Sequence, residues 1–378
     1  MKKTANKLFF SLFGLCWSAL IVWNIVTPVK TFSENENRYL AQFPAFSIDD
    51  FVEGKFMQEV DTYINDQFIA RDQWITLKVA LEKGLHKQEV NNIVFGKDSY
   101  LIEQHPQSSI NQQLLDKNLA ALINFVNKQS ANLQTHVMMV PTASAILKDK
   151  LPPFAGSLGF DQLAWIQQLQ EQLNNQTVLD ISETLSMHRD ESIYYRTDHH
   201  WTTDGAYLAY QQWAKASGFQ PLSLEAWTQV QVTDSFLGTL HSKVNAPIKP
   251  DIIEMYQLKQ AVDYQVIFDG DKVQSSFYDY QKLEGKDKYA FFLGGNNALV
   301  QIKTPLQNQR KQLIIKDSFA NAFVPFAVNH FEETVVVDLR FYNGNLNELI
   351  AENNITDLLV LYNVIGFATD TNVMKLPK

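Results

Sequence analysis

The sequence predicts an α/β fold: a mainly parallel sheet with helices on both faces and a β-rich insertion over about 221–305. Three observations predict it. Runs at 311–319, 334–338 and 357–363 are short, almost continuously apolar and bounded by polar residues, the pattern of strands buried on both faces. Helical patterns lie between them, the alternation expected of parallel strands joined by crossovers. From 221 to 305 the pattern changes to short alternating runs broken by Gly and Asp, such as 230–232 and 264–268, which reads as further β structure.

At the start of the chain, Met1-Lys2-Lys3 and Lys7 precede an uncharged apolar stretch over 8–29. Its length suits a bilayer span. The lysines ahead of it place residues 1–7 in the cytoplasm and the rest outside. No small-x-small cleavage pattern follows, so an uncleaved transmembrane signal anchor is expected over a cleaved signal peptide. The protein is then expected to be a single-pass membrane protein with its domain on the extracytoplasmic face. Residues 30–47 are polar and turn-forming and read as a linker, and 48–378 form the domain.

Within that domain, 48–86 is helical: Phe51, Phe56, Val60, Tyr63 and Ile64 recur at helix spacing, Asp49 and Asp50 suit a helix start, and 65–72 interrupts the pattern. Residues 92–102 read as a hairpin turning through Gly96-Lys97-Asp98. An amphipathic helix follows over 111–129, a buried strand ending in a loop over 133–142, a helix over 160–174 and a strand over 177–180. A helix starting near Thr202 runs through Tyr207, Tyr210 and Trp213.

The bulk composition excludes some classes. The 378-residue chain carries a net charge of −9, against the basic patches a general nucleic-acid binder uses to neutralise phosphates. Its single cysteine, Cys16, excludes an internal disulfide and a structural Cys-based zinc site. No cofactor is expected.

Two constellations carry chemistry. In Asp198-His199-His200-Trp201, which lies between a predicted strand and a predicted helix, Asp198 can accept a bond from His200 Nδ1–H and leave Nε2 as a general base. The same cluster can also be a metal site or a turn stabilised by its own polar groups. In Lys316-Asp317-Ser318-Phe319-Ala320 a serine follows a buried strand and opens a helix. There its hydroxyl can reach a crevice at the strand ends and its amide can face an oxyanion. The plainer alternative is a helix N-cap. A third motif, Gly294-Gly295-Asn296, can present backbone and amide donors to an oxyanion or simply turn a hairpin.

These residues resemble the DHHW proteins, relatives of the AlgX/AlgJ-type polysaccharide O-acetyltransferases. Thr197-Asp198-His199-His200-Trp201-Thr202 with Gly205-Ala206 is similar to the signature. Earlier segments, Glu36 to Ala41, Asn65 to Phe68 with Arg71-Asp72, and Phe95 to Asp98, resemble the N-terminal motifs. Gly294-Gly295-Asn296, Lys316 to Ala320 and Val337-Asp338-Leu339-Arg340 resemble the later ones. The resemblance implies an SGNH-hydrolase-like (flavodoxin-like) three-layer domain. It implies Ser318 as nucleophile, His200 as base and Asp198 as its orienter, and places an oxyanion set on Gly294, Gly295 and Asn296; His199, Trp201 and Arg340 are candidate substrate neighbours beside them, and no metal is expected. It also implies transfer or removal of O-acetyl groups on polysaccharide, beside a membrane-bound O-acyltransferase as acetyl donor. In the alginate enzymes another residue stands where His199 does, so His199 inherits no role.

Two other functions fit parts of the sequence. Asp-His-His also occurs in metal-dependent phosphoesterases, but there it directly follows an apolar strand and comes with further Asp-rich motifs. Here Tyr194-Tyr195-Arg196-Thr197 precedes it and no such clusters occur. A non-catalytic protein that holds glycan or a partner would keep the fold without the chemistry.

Overall fold

The computed structural model describes residues 2–33, 38–153, 155, 159–173 and 177–377. Glu36 and Asn37 of the first motif and Asn174 at the end of the predicted 160–174 helix lie outside the described residues. The chain divides into two compact units, Met1–Lys87 with Ser242–Pro247, and Gln88–His241 with Ile248–Lys378.

The first unit is helical, with helices at Lys2–Val26, Ile48–Val52, Lys55–Gln67 and Arg71–Gly84. Ser47 caps the second by accepting from Asp50 N. Asp66 is buried and takes both prongs of the Arg38 guanidinium, at 2.9 and 2.6 Å, and the Ala41 amide at 2.8 Å. Bonding to Arg38, set against the cost of burial, holds its carboxyl below the usual range. Arg38 and Asp66 belong to two of the motifs noted above, and this bidentate pair joins them.

The N-terminal helix is not the transmembrane span that the sequence leads one to expect. A helix does form over Lys2–Val26, but among the described residues no helix is long and apolar enough to cross a membrane. The helix stops before Thr27, and its first two turns carry Lys2, Lys3 and Lys7. Its uncharged helical part, residues 8–26, is about 28 Å long at ~1.5 Å per residue and shorter than the 8–29 stretch read from the sequence. Ser11 and Ser18 interrupt the apolar run, and Asn24 Oδ1 accepts from the Ile69 amide at 2.8 Å, a protein contact. The membrane anchorage, single-pass topology and extracytoplasmic placement expected from that span fall with it.

The second unit is built on a seven-stranded sheet. Its strands are β1 (Gln134–Val140), β2 (Gln265–Phe268), β3 (Lys272–Gln274), β4 (Leu299–Lys303), β5 (Lys311–Lys316), β6 (Glu333–Asp338) and β7 (Asp357–Asn363). They lie in the order β3-β2-β4-β6-β5-β7-β1. β6, β5, β7 and β1 pair in parallel, while β4, β2 and β3 add in antiparallel fashion beyond β6. The sheet is therefore mixed, not mainly parallel. The 221–305 segment is β-rich and supplies the antiparallel half of this sheet. Trp227–Phe236 and Asp251–Leu258 pair apart from it, as a two-stranded ribbon. The expected strand at 177–180 reduces to a bridge of Val178 to Val137. The expected hairpin at 92–102 is part of a small three-stranded sheet, Glu89–Val90, Ile93–Phe95 and Leu101–Glu103.

Alternation along the parallel strands makes three layers. Ile314, Val336, Leu359 and Met138 point to one face, where helices Thr203–Ala216 and Ala320–Ala327 pack through Tyr210, Trp213, Phe323 and Phe326. Leu313, Ile315, Val335, Leu358 and Val137 point to the other, covered by Gln112–Asn127, Gln162–Gln172, Leu346–Glu352 and Val364–Thr369. Burial on both faces is why these strands read as unbroken apolar runs.

One buried histidine in this packing makes stability depend on pH. His330 Nε2 accepts from the Tyr210 hydroxyl at 2.8 Å, and burial, with nearby Arg310, pushes its pKa down to about 4 from 6.5. A lowered folded-state pKa means the unfolded chain binds more protons, so this contribution is complete above pH 6.5 and is lost as pH falls toward 4. The melting temperature should fall across that window by the equivalent of about 2–3 kcal/mol. In His330→Phe this part of the slope should vanish, which thermal melts of the two proteins at matched pH will check.

Candidate active site

The loop carrying Asp198 and His200 is a tight, anchored turn. Tyr194 bridges Trp201, Tyr195 N donates to His200 O at 3.2 Å and Thr202 N to Ile193 O at 3.0 Å. Thr197 is fully buried, and its amide and hydroxyl both donate to Asp251 Oδ2 at 2.7 Å. Thr202 then caps the Thr203–Ala216 helix by accepting from Gly205 N. Gly238 lies against Asp198: a Cβ there would stand 2.3 Å from Asp198 Oδ2, so no larger residue fits without shifting the loop.

Ser318 follows β5. The side chain that shapes its turn is that of Asp317, whose Oδ1 accepts from Phe319 N at 2.9 Å while Oδ2 accepts from Asn363 N and Nδ2, both at 2.7 Å. Asp317 makes the turn by bonding the amide two residues on. Phe319 occupies the N-cap position of the next helix, with no side-chain cap bond. The Ser318 hydroxyl points instead to His200 Nε2, at 2.7 Å. His200 Nδ1 lies 2.5 Å from Asp198 Oδ1.

Proton directions follow from the partners. Asp198 Oδ1 receives His200 N at 3.0 Å and His200 Nδ1–H, and Oδ2 receives Thr239 N at 2.8 Å and Oγ1 at 3.0 Å. Nδ1 of His200 carries the proton, so Nε2 accepts from Ser318. Thr239 gives its proton to Asp198, so its oxygen takes the proton of His199 Nδ1, 2.6 Å away. Burial alone would raise the Asp198 carboxyl. The facing His200 and His199 and its four hydrogen bonds outweigh burial and hold it well below the usual range.

Asp198, His199 and His200 bring possible ligand atoms within 4.8 Å of one another, but the donor set does not fit a metal. A carboxylate offers about four lone-pair positions, and the four hydrogen bonds above fill them. His200 is engaged at both nitrogens, by Asp198 and by Ser318, so two of the three residues have no lone pair to give.

Ser318 opens on a cavity of about 370 Å³ that His199, Arg340, Asp317, Asn363 and Thr142 also line. It lies at the carboxyl ends of β1, β5, β6 and β7, where ligands bind in open α/β sheets. Arg340 is held by both prongs on Asp338, at 2.8 and 2.5 Å. Trp201 does not face the cavity: it is fully buried, and its Nε1 donates to Phe319 O at 2.8 Å, tying the two loops together. Gly294, Gly295 and Asn296 are not among the residues lining the cavity. Gly294 and Gly295 turn the chain at φ 65° and 97°. Asn296 Oδ1 accepts from Lys316 Nζ at 3.1 Å and Asn321 Nδ2 at 3.3 Å, bracing the end of β5. Lys316 is fully buried, which pushes its pKa down to about 8 against the pull of Asp338.

Sequence reasoning missed Asp317, Thr239 and Asn363. Asp317 was the one with a visible signal, since an aspartate one residue ahead of a candidate cap can itself make the turn. It is buried against the cavity wall, and burial, resisted by the Asn363 and Phe319 amides, pushes its pKa up to about 6.

A parallel four-strand core with helices on both faces, and a serine, a histidine and an aspartate in series at its carboxyl edge, define the class as SGNH-hydrolase-like α/β proteins. More narrowly, the chain belongs to the DHHW protein family, whose sequence profile matches residues 36–116 and 107–337. It is similar to a solved DHHW family protein of Eubacterium siraeum, at 25% identity and TM-score 0.63, covering 76% of this chain and 95% of that one. It is also similar to PatB1 of Bacillus cereus solved with a sulfonyl adduct, at 21% identity and TM-score 0.62, covering 75% and 99%. A second PatB1 structure gives 20% identity and TM-score 0.61, covering 74% and 98%. No curated protein matches the chain significantly.

Proposed function

We propose that this chain is a serine-dependent acyl-transfer enzyme that moves or removes O-acetyl groups on a polysaccharide. The observation that carries the reading is the unbroken series from Ser318 Oγ through His200 to Asp198, opening on the cavity. The cavity volume falls in the ~300–1,000 Å³ range of small-molecule sites, enough for an acetylated sugar unit.

In this reading His200 Nε2 takes the Ser318 proton as Oγ attacks the acetyl carbonyl, and Asp198 stabilises the imidazolium that forms. The Ser318 amide and Asn363 Nδ2 are the donors assigned to the oxyanion. One Nδ2–H of Asn363 is held by Asp317 Oδ2, and its Oδ1 accepts from Gly366 N at 2.7 Å, which fixes the amide plane at the cavity wall. The carbon–oxygen bond to the donor breaks, the imidazolium protonates the departing oxygen, and acetyl remains on Ser318. His200 then deprotonates the acceptor, a sugar hydroxyl or water. Attack on the acyl carbon releases the acetylated product, or acetate, and restores Ser318.

The test is capture of the intermediate. Brief reaction with a chromogenic acetyl ester, quenching in acid and peptide mass analysis should find one acetyl group on the peptide containing Ser318. A sulfonyl fluoride should label that same peptide and block acetylation; sulfonyl chemistry is chosen because PatB1 was solved with such an adduct. Acetyl or sulfonyl groups found only on other peptides would overturn the assignment.

A further inference from the structure

His200 is bonded at both ring nitrogens, to Asp198 and to Ser318. Those bonds lie in the plane of the ring and by themselves resist little tilting about the line joining the two nitrogens. One ring opposes that tilt. Tyr289 stacks flat on the His200 imidazole, with centroids 3.8 Å apart and planes 10° apart. The other rings against His200 are inclined: His199 at 3.8 Å and 36°, and Phe319 at 5.1 Å and 49°. Tyr289 is 3% exposed. It is itself fixed by Tyr195, edge-on at 6.2 Å, and by Phe292 at 5.3 Å. It sits in the short helical turn Lys288–Phe291, between β3 and β4.

We infer that Tyr289 is a positioning residue for His200. Its ring keeps the imidazole plane aimed at Ser318, and its π face stabilises the imidazolium that forms when Ser318 gives up its proton. The inference rests on the reading that Ser318 and His200 carry out the chemistry. An aromatic face attracts a cation stacked on it, most strongly in a site shielded from water. The contribution is therefore larger for the protonated than for the neutral ring, which is what accelerates a step. The titratable groups around the imidazole are Asp198 and His199 from its own loop, Tyr289 from the 288–291 turn with Asp287 just ahead of it, whose buried carboxyl acts on Asp198 and His199, and Asp317, which acts on Tyr289. Of these only Tyr289 lies flat on the ring.

The test compares wild type, Tyr289→Phe, Tyr289→Leu and Ser318→Ala in acetyl-ester hydrolysis across pH, with a thermal melt of each. Phenylalanine keeps the ring and should hold kcat within about threefold of wild type. Leucine should lower kcat roughly tenfold with KM little changed, the rate equivalent of a desolvated cation–π contact. The acid limb of its kcat/KM profile should move to lower pH, because the imidazolium has lost its partner. If the leucine variant does not fold, ring-fluorinated phenylalanine at position 289 keeps the shape and weakens the π face. It should move the acid limb the same way. A folded Tyr289→Leu with unchanged kcat and pH profile, beside an inactive Ser318→Ala, overturns the inference alone. Full activity in Ser318→Ala instead overturns the acyl-transfer reading on which it rests.

Discussion

Ser318→Ala should lose acetyl-ester turnover by on the order of 10⁵-fold in kcat, leaving the background that binding and oxyanion donors provide without a nucleophile. The folded protein should barely register the change. Ser318 is half-buried and its hydroxyl bonds His200 Nε2, and water entering from the cavity can replace it, so stability should change by about 1 kcal/mol or less. The turn survives because Asp317, not Ser318, makes its side-chain bond. A thermal melt and a steady-state rate on the same preparation will check both halves. Wild-type turnover by the alanine variant would remove Ser318 from the chemistry.

Asp198→Asn should be damaging in two ways at once. Its carboxylate receives four donors, from His200 N and Nδ1 and from Thr239 N and Oγ1. An amide cannot accept on both sides. With its NH₂ toward His200, the imidazole must carry its proton on Nε2 and can no longer accept from Ser318, a loss of about 10⁴ in kcat. With its NH₂ toward Thr239, a buried donor faces a donor, at roughly 1–3 kcal/mol. The pH dependence gives an independent reading. The facing histidines hold the wild-type carboxyl below its usual value, so its contribution to stability is present above about pH 3.9 and is lost as pH falls below that. The asparagine variant should lack this component of acid denaturation, measurable as a shallower loss of melting temperature below pH 4.

The parallel half of the sheet was legible because Leu313–Ile315, Val335–Val337 and Leu358–Leu361 are buried on both faces, and burial writes itself into composition. The antiparallel half was not. Gln265–Phe268 and Lys272–Gln274 form a local hairpin, but the antiparallel seating of Leu299–Lys303 between Gln265–Phe268 and Glu333–Asp338 is decided by partners distant in the chain. The apolar N-terminal run was legible as helix, but its helical length and the engagement of Asn24 with Ile69 were not. At the site, residue types pointed to Asp198, His200 and Ser318. Their spacing did not, because 118 residues separate His200 from Ser318. The N-cap preference of serine pointed to the wrong residue for the turn: the shorter reach belongs to Asp317. Tyr289 carried no signal at all, since a buried tyrosine among 14 is distinguished only by the ring it lies on.

The order of strands in the sheet has a consequence for synthesis. β5, which leads into Ser318, is flanked by β6 and β7, and both are made after it. β1, made near residue 140, finds its neighbour in β7, which ends at Asn363. A nascent chain emerging from the ribosome therefore holds its Asp-His loop long before it can seat a nucleophile beside it. The parallel half of the sheet closes only when the last strand takes its place between β5 and β1. Recovery of esterase activity after dilution from denaturant would thus report the final step of folding, and non-local pairing of this kind is slow. An incomplete or prematurely released chain lacks the assembled site and stays inert.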